Sequence, residues 1–171
     1  MAIKTLDEKF IHGLGDIYDA EHRFLDAQQT MLPNASSPTV QAMLEKHIAE
    51  TEQQIVNLTK VYEFLGLTAE RVTCDGAAGI VSEGNKLLKE TQDVPALADL
   101  AINGGCSKVE HYEIAAYRGL IAGAEAMGQT EIVRLLSENL QQEEKTAQAL
   151  ESSMPALLQK AMQTASKSAA T

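Results

Sequence analysis

The sequence predicts an all-α protein built as a bundle of four long helices. Three observations carry that reading. Helix formers such as Ala, Leu, Gln and Glu dominate, aromatic residues make up only 4 %, and Trp is absent. Apolar residues recur at intervals of three and four, the period of an amphipathic helix rather than a strand. The breaks between these stripes are few, which leaves segments of about 20 to 28 residues, long for a globular protein. At 171 residues the chain suits one domain with a core that needs no staples.

The first helix spans about 5–31, with a stripe of Phe10, Leu14, Ile17, Phe24, Gln28 and Met31 interrupted at position 21. Pro33-Asn34-Ala35-Ser36-Ser37-Pro38 forms a loop, in which Ser37 caps the second helix and Pro38 opens it. That helix, about 38–65, carries Val40, Leu44, Thr51, Leu58, Val61 and Leu65, with gaps at 47 and 54, and Gly66 ends it. A stretch through Gly76 and Gly79 leads into a short helix, about 79–91. Asp93 is the expected cap of the third long helix, about 96–126, behind Pro95. Its stripe is Ile102, Cys106, Val109, Ala116 and Leu120, with a gap at 113. Gly128 turns the chain into the fourth, about 130–150, with Ile132, Leu136, Ala147 and Leu150 and gaps at 139 and 143. Pro155 interrupts the last segment, so residues 154–171 are expected as a short helical or frayed tail behind a domain of residues 1–153. Of the connections between the long helices, the first and last are short, and the middle one runs about 30 residues with its own helix. Two helical hairpins joined by one long crossover is the ferritin-like arrangement.

Charge excludes several partners. The 24 acidic and 14 basic side chains give a net charge of −10, whereas nucleic acids and anionic membranes call for basic patches. No apolar run approaches the roughly 20 residues that span a bilayer. The segment from Met1 to Glu8 has no apolar signal core, so the expectation is a cytoplasmic protein. Cys74 and Cys106 form no CxxC motif and read as free thiols.

The gaps in the apolar stripes hold the chemistry. Glu21 lies between Ile17 and Phe24, Glu113 continues Cys106 and Val109 with Glu110 one step round, and Glu143 continues Leu136 and Leu140. On the second helix the face through Leu44, Thr51 and Leu58 also holds His47, Glu50 and Gln54. Each long helix thus aims at least one carboxylate inward near its middle. Buried carboxylates must be protonated, paired or metal-bound, and few basic residues fall on these stripes. Divalent or trivalent metal would neutralise several carboxylates at one level. A weak repeat supports a duplicated hairpin: Ala20-Glu21-His22-Arg23 echoes Val109-Glu110-His111-Tyr112, and Glu50 and Glu143 follow 29 and 33 residues after Glu21 and Glu110. One Glu per helix in each half is the logic of a two-metal carboxylate site. Taken alone, Glu110 and Glu113 read equally well as surface residues beside Lys108 and Arg118. His47 reads as a ligand, a partner of a ligand, or a core-edge histidine. His22 and His111 point about 100° away from their glutamates and read as flanking residues. Glu45, Glu52, Glu63 and Glu144 fall on solvated faces, Tyr18, Tyr112 and Tyr117 read as core-edge residues, and Cys106 as a small core residue.

The segments Phe10-Ile11-His12-x-Leu14-x-Asp16-x-Tyr18-x-Ala20-Glu21, His47-x-x-Glu50-Thr51-x-x-Gln54, Lys108-Val109-Glu110-His111-Tyr112-Glu113-Ile114-Ala115-x-Tyr117 and Leu135-Leu136-x-Glu138-x-Leu140-x-x-Glu143-Glu144 resemble the YciE/YciF stress-protein family of the ferritin-like superfamily. The resemblance covers about residues 3–150. It implies a ferritin-like four-helix domain, a homodimer, a stress role and a dinuclear site, with iron as the metal. It places Glu21, Glu50, Glu110 and Glu143 as the four core carboxylates and Glu113 as the additional glutamate of rubrerythrin-like relatives. One departure matters: the Glu-x-x-His that ordinary ferritin-like sites carry on the second and fourth helices is replaced by Glu50-x-x-Gln53 and Glu143-x-x-Thr146. Gln54, His47 or water would then complete the shell, and an oxygen-rich shell makes manganese a rival to iron.

These readings lead to a di-metal oxidoreductase or peroxidase that binds two metal ions per chain and takes O2 or peroxide as its small substrate. The alternatives are a non-catalytic metal-binding or stress-protective homodimer, and an interaction module whose inward polar residues are vestigial.

Overall fold

The computed structural model describes residues 2–168, with side chains described to Thr164. All its regular structure is helical: α1 (Leu6–Met31), a 3-10 turn (Leu32–Asn34), α2 (Pro38–Phe64), α3 (Asp75–Thr91), α4 (Pro95–Ala126) and α5 (Thr130–Ser168). The four long helices pack in a ring: α1 against α2, α2 against α5, α5 against α4, and α4 against α1. The crossover helix α3 lies outside this ring on α1 and α4. Among the described residues, no helix is long and apolar enough to cross a membrane.

The helix ends follow from local chemistry. Thr5 and Glu8 form a capping box that opens α1. Gly66 and Gly128 adopt φ of 69° and 70°, which a side chain would resist, and each closes a helix with paired turn bonds. Leu67 N–H donates to the Tyr62 carbonyl and Gly66 N–H to that of Glu63, and Gln129 and Gly128 repeat the pattern on Ala124 and Glu125.

Four expectations at helix ends change. Ser37 holds the cap position of α2, but its side chain makes no capping bond; its main-chain N–H goes to Asp99 instead. Val94, not Asp93, is the residue before α4, because Pro95 and the turn bond from Val94 to Thr91 already set the entry. The short helix begins at Asp75 rather than 79, since the Cys74 sulfur accepts the Ala77 N–H and the glycines at 76 and 79 are accommodated inside. Pro155 lies within α5, which continues to Ser168. Leu157 buries against the core and Lys160 reaches Asp99 at 3.3 Å, so tertiary contact beyond the proline offsets its missing hydrogen bond. The rest of the expected frayed end lies outside the described residues.

The core divides into two apolar clusters. One gathers Phe10, Leu14, Ile17, Phe24, Leu58, Val61, Leu120, Ile132 and Leu136. The other gathers Met31, Val40, Leu44, Ile102, Cys106 and Leu150. The stripes expected from the sequence supply nearly all of both. Between the clusters lies a buried polar layer.

Two aspartates that the stripes did not single out fasten the connections. Asp19 accepts from Arg23 at 2.5 Å, Arg71 at 2.8 Å and the Cys74 N–H at 2.9 Å, which ties the crossover to α1. Burial alone would raise its pKa, but these donors outweigh it and hold the carboxyl at about 2. Gly15 lets the crossover come close: a Cβ there would sit 2.6 Å from Val72 Cγ2. Asp99, fully buried, accepts from Ser36 N–H and Oγ, both at 2.7 Å, and from Ser37 N–H at 3.0 Å. It thereby fixes the α1–α2 loop onto α4. Asp99→Ala is expected to lower unfolding stability by about 2–4 kcal/mol, because buried donors lose a charged acceptor. Urea denaturation checks this, and a loss of less than about 1 kcal/mol would count against the anchoring role.

Candidate metal centre

The polar layer is assembled from all four long helices. α1 contributes Glu21 and Gln28, α2 His47, Thr51, Gln54 and Asn57, α4 Glu110, Glu113 and Tyr117, and α5 Asn139, Glu143 and Thr146. Glu21, Glu110, Glu113 and Glu143 are all at 0 % exposure. His47, Glu110, Glu113 and Glu143 each direct one donor atom to a common point, with all four atoms within 4.8 Å of one another. Glu110 and Glu113 are thus core residues, and the surface reading of that pair is excluded.

The other expected site residues stand close by. Gln54 donates its side-chain N–H to Glu143 Oε1. Glu21 accepts the Tyr117 hydroxyl on Oε1. Glu50 is half-buried at the rim, with Lys46 at 3.1 Å on one oxygen and the Thr146 hydroxyl at 3.3 Å on the other. Helical geometry explains its position. Three residues on from His47 rotate Glu50 to about 60° away, whereas Thr51 and Gln54 stay within about 40° of His47.

Residues outside the expected set order the layer. Asn139 donates to the Tyr117 oxygen at 3.0 Å and to the Gln54 carbonyl at 3.3 Å, and accepts from Asn57 at 2.9 Å. Gln28 contacts His47 Nε2 at 3.3 Å and Thr51 Oγ1 at 3.2 Å. Position 139 and Gln28 were visible as members of the stripes. Tyr117, read as a core-edge residue, is fully buried and was recognisable only as a neighbour of Glu113 one turn on.

The electrostatics are unfavourable as they stand. His47 Nδ1 lies 3.1 Å from Glu110 Oε1 and Nε2 lies 3.8 Å from Glu143 Oε2. Burial pulls the His47 pKa down to about 4, with Lys46 adding to the shift, so the ring is neutral at pH 7 and contributes no counter-charge. Burial pushes the Glu110 carboxyl up to about 12, and the adjoining Glu143 carboxylate adds to it. Glu21, Glu113 and Glu143 are raised too, in each case first by burial. Both oxygens of Glu110 and Glu113 and one oxygen each of Glu21 and Glu143 have no hydrogen-bond donor among the described residues. Buried acceptors without donors are rare and costly. A set of oxygens with one neutral imidazole suits a hard or borderline divalent ion, so the residues present fit a metal.

The fold and site define an all-helical protein with a buried His/Glu group able to hold a metal ion. The chain belongs to the family described as "Domain of unknown function (DUF892)", whose profile matches residues 5–163. It is 33 % identical over 147 residues to protein YciF of Escherichia coli (strain K12), covering 85 % of this chain and 88 % of that protein. The crystal structure of that E. coli stress protein superposes with a TM-score of 0.86 at 31 % identity, over 92 % of this chain and 99 % of the other. YcfI of Rhodopseudomonas palustris superposes with a TM-score of 0.82 at 36 % identity, over 87 % and 94 % of the two chains.

The raised carboxylates predict how the metal-stripped protein responds to pH. Glu110 keeps a proton in the folded state that the unfolded chain releases above about pH 4.5, so stability falls as pH rises. His47 acts in the opposite sense, but only between about pH 4 and 6.5. Above that window the carboxylates act alone, at about 1.4 kcal/mol per pH unit for each retained proton. Chelator-treated protein should therefore melt at steadily lower temperature from about pH 6.5 to 9. A flat profile over that range would show that the buried carboxyls are already ionised.

Proposed function

We propose that this chain is a ferritin-like carboxylate metalloprotein, with a four-helix domain over residues 1–153, that holds two iron or manganese ions. It acts in the cytoplasm as a homodimer and reduces O2 or peroxide in a stress response. The observation that carries this reading is the set of donor-less carboxylate oxygens in a sealed layer, aimed at one point with His47. The likeness of this chain to the E. coli stress protein YciF supports the physiological half of the reading.

His47, Glu110, Glu113 and Glu143 are the residues that would hold the first ion. Glu21 and Glu50 are the further carboxylates that a second ion calls for, and each now has a hydrogen-bond partner of its own. A pair of redox-active ions would supply two electrons to a small oxidant and act as Lewis acids toward it. The chain's own groups do the rest. Gln54 orients Glu143, Gln28 orients the His47 ring, and the Tyr117 hydroxyl holds a proton at Glu21. The apolar clusters on either side exclude water.

A second reading, a non-catalytic metal-binding or stress-protective homodimer, is favoured by the complete burial of the centre and by the absence of Glu-x-x-His. Anaerobic loading separates the two: the redox reading expects oxidation of the ions when O2 or peroxide is added, and the protective reading expects loading without reaction.

Protein prepared without chelator is expected to carry about two metal ions per chain by elemental analysis. Glu143→Gln and Glu110→Gln should abolish that content, and a full complement in either variant would sink the site. Gln54→Leu removes only an orienting contact and should weaken metal affinity about 10–100-fold while leaving the ligands in place. Competition with a metal indicator reads that change.

A further inference from the structure

We infer that the small cavity between α1, α3 and α4, beside His47, is the entry and docking site for dioxygen. This rests on the redox reading of the neighbouring carboxylates, but occupancy of the cavity can be measured without metal.

The cavity is mostly enclosed and measures about 10 Å³, room for about one water-sized molecule. That excludes any organic substrate. His47 and Gln28 line it, as do Phe24, Met31, Val81 and Val109. His47, 3 % exposed, borders the carboxylate group, while Gly84 and Gly105 are half-buried. The Met31 methyl plugs the space between these glycines: Cβ atoms built there would stand 3.4 and 4.0 Å from it. The cavity thus joins the α3 seam to the edge of the centre.

Its chemistry selects among small oxidants. The amide and imidazole on its wall already face each other, with Gln28 also bonded to Thr51, and the remaining polar group, the Cys106 thiol, is only a weak hydrogen-bonding partner. A buried water needs two to four polar partners, so this space stays dry. Dioxygen gives up no hydrogen bonds on entry. Hydrogen peroxide would leave its hydroxyl groups without partners, and charged superoxide would lose its hydration beside buried carboxylates. A cavity of similar size on the far side of His47 is different. It is lined by Asn103 and Thr146, and Asn103 Oδ1 has no donor, so water competes there.

The wall can also open. α3 has only Ala77 and Leu88 buried along its 17 residues and contains Gly76, Gly79 and Gly84. Its N-terminus is fastened through Cys74 to Tyr112 and Asp19, but its C-terminal half has only Leu88 buried, and that lightly buried stretch with Gly84 is the kind of element that opens locally.

The test uses the full chain stripped of metal, under oxygen pressure, with methyl NMR. Dissolved dioxygen relaxes nearby methyl groups. The methyls of Met31, Ile80, Val81 and Val109 should show relaxation several-fold above that of the exposed Leu97 and Leu158. Gly84→Leu should remove the excess by filling the cavity, and Met31→Ala should increase it by unplugging the seam. Relaxation at the lining no greater than at the exposed methyls would overturn the inference. So would an excess unchanged in natively folded Gly84→Leu. If Gly84→Leu does not fold, Met31→Ala decides: no increase there overturns the assignment. Metal content is read separately, so a cavity that takes up dioxygen in a chain that binds no metal would count against the proposed function and not against the cavity.

Discussion

A carboxylate that leaves water must lose its charge or find one of opposite sign, and four of them share one level of this protein. Among the described residues, no Lys or Arg comes within ion-pair reach of Glu21, Glu110, Glu113 or Glu143. His47, the one base at that level, is held neutral by its own burial. The remaining donors, from Tyr117 and Gln54, serve one oxygen each. Protonation is what the chain alone can offer, and that is why the carboxyl pKa values rise together.

The surrounding architecture follows from holding that layer dry and level. One helix can bring two or three inward polar groups to a given height, so the cluster needs several helices in register. Apolar clusters above and below set the register, and the Asp19 and Asp99 anchors stop the two long connections from sliding over it. Asn57, Asn139 and Tyr117 form a ladder across α2, α5 and α4 that locks these helices at the depth of the carboxylates. Such a network adds specificity of position more than net stability, because each bond replaces one to water.

Much of this was legible in the sequence because helical phase is a strong signal. Phe10, Leu14, Ile17, Phe24, Gln28 and Met31 recur at three and four, and the gap at Glu21 turned out buried with them. The same logic found His47, Gln54, Glu113 and Glu143. Phase is blunter for residues one step off the stripe, where Glu110 turns in and Glu50 stays at the rim. It is silent about Asp19 and Asp99, whose anchoring partners lie 52 and 55 residues away in the crossover and 62 and 63 residues away in the first loop. It also misjudged Pro155, because the packing of Leu157 on the core is a long-range fact that no local propensity contains.

Charge counting limits what can satisfy the layer. Four ionised carboxylates with a neutral imidazole carry four negative charges. A single divalent ion would leave two of them in a medium where an unpaired charge costs several kcal/mol even after relaxation. Two divalent ions would balance the four. Glu50 is set apart by its position: half-buried at the rim, it has Lys46 on one oxygen and the Thr146 hydroxyl on the other, and drawing it into the layer would need a metal charge to offset its lost hydration. The four fully buried carboxylates need protons or counter-charge at their own level, whereas Glu50 at the edge has Lys46 within reach.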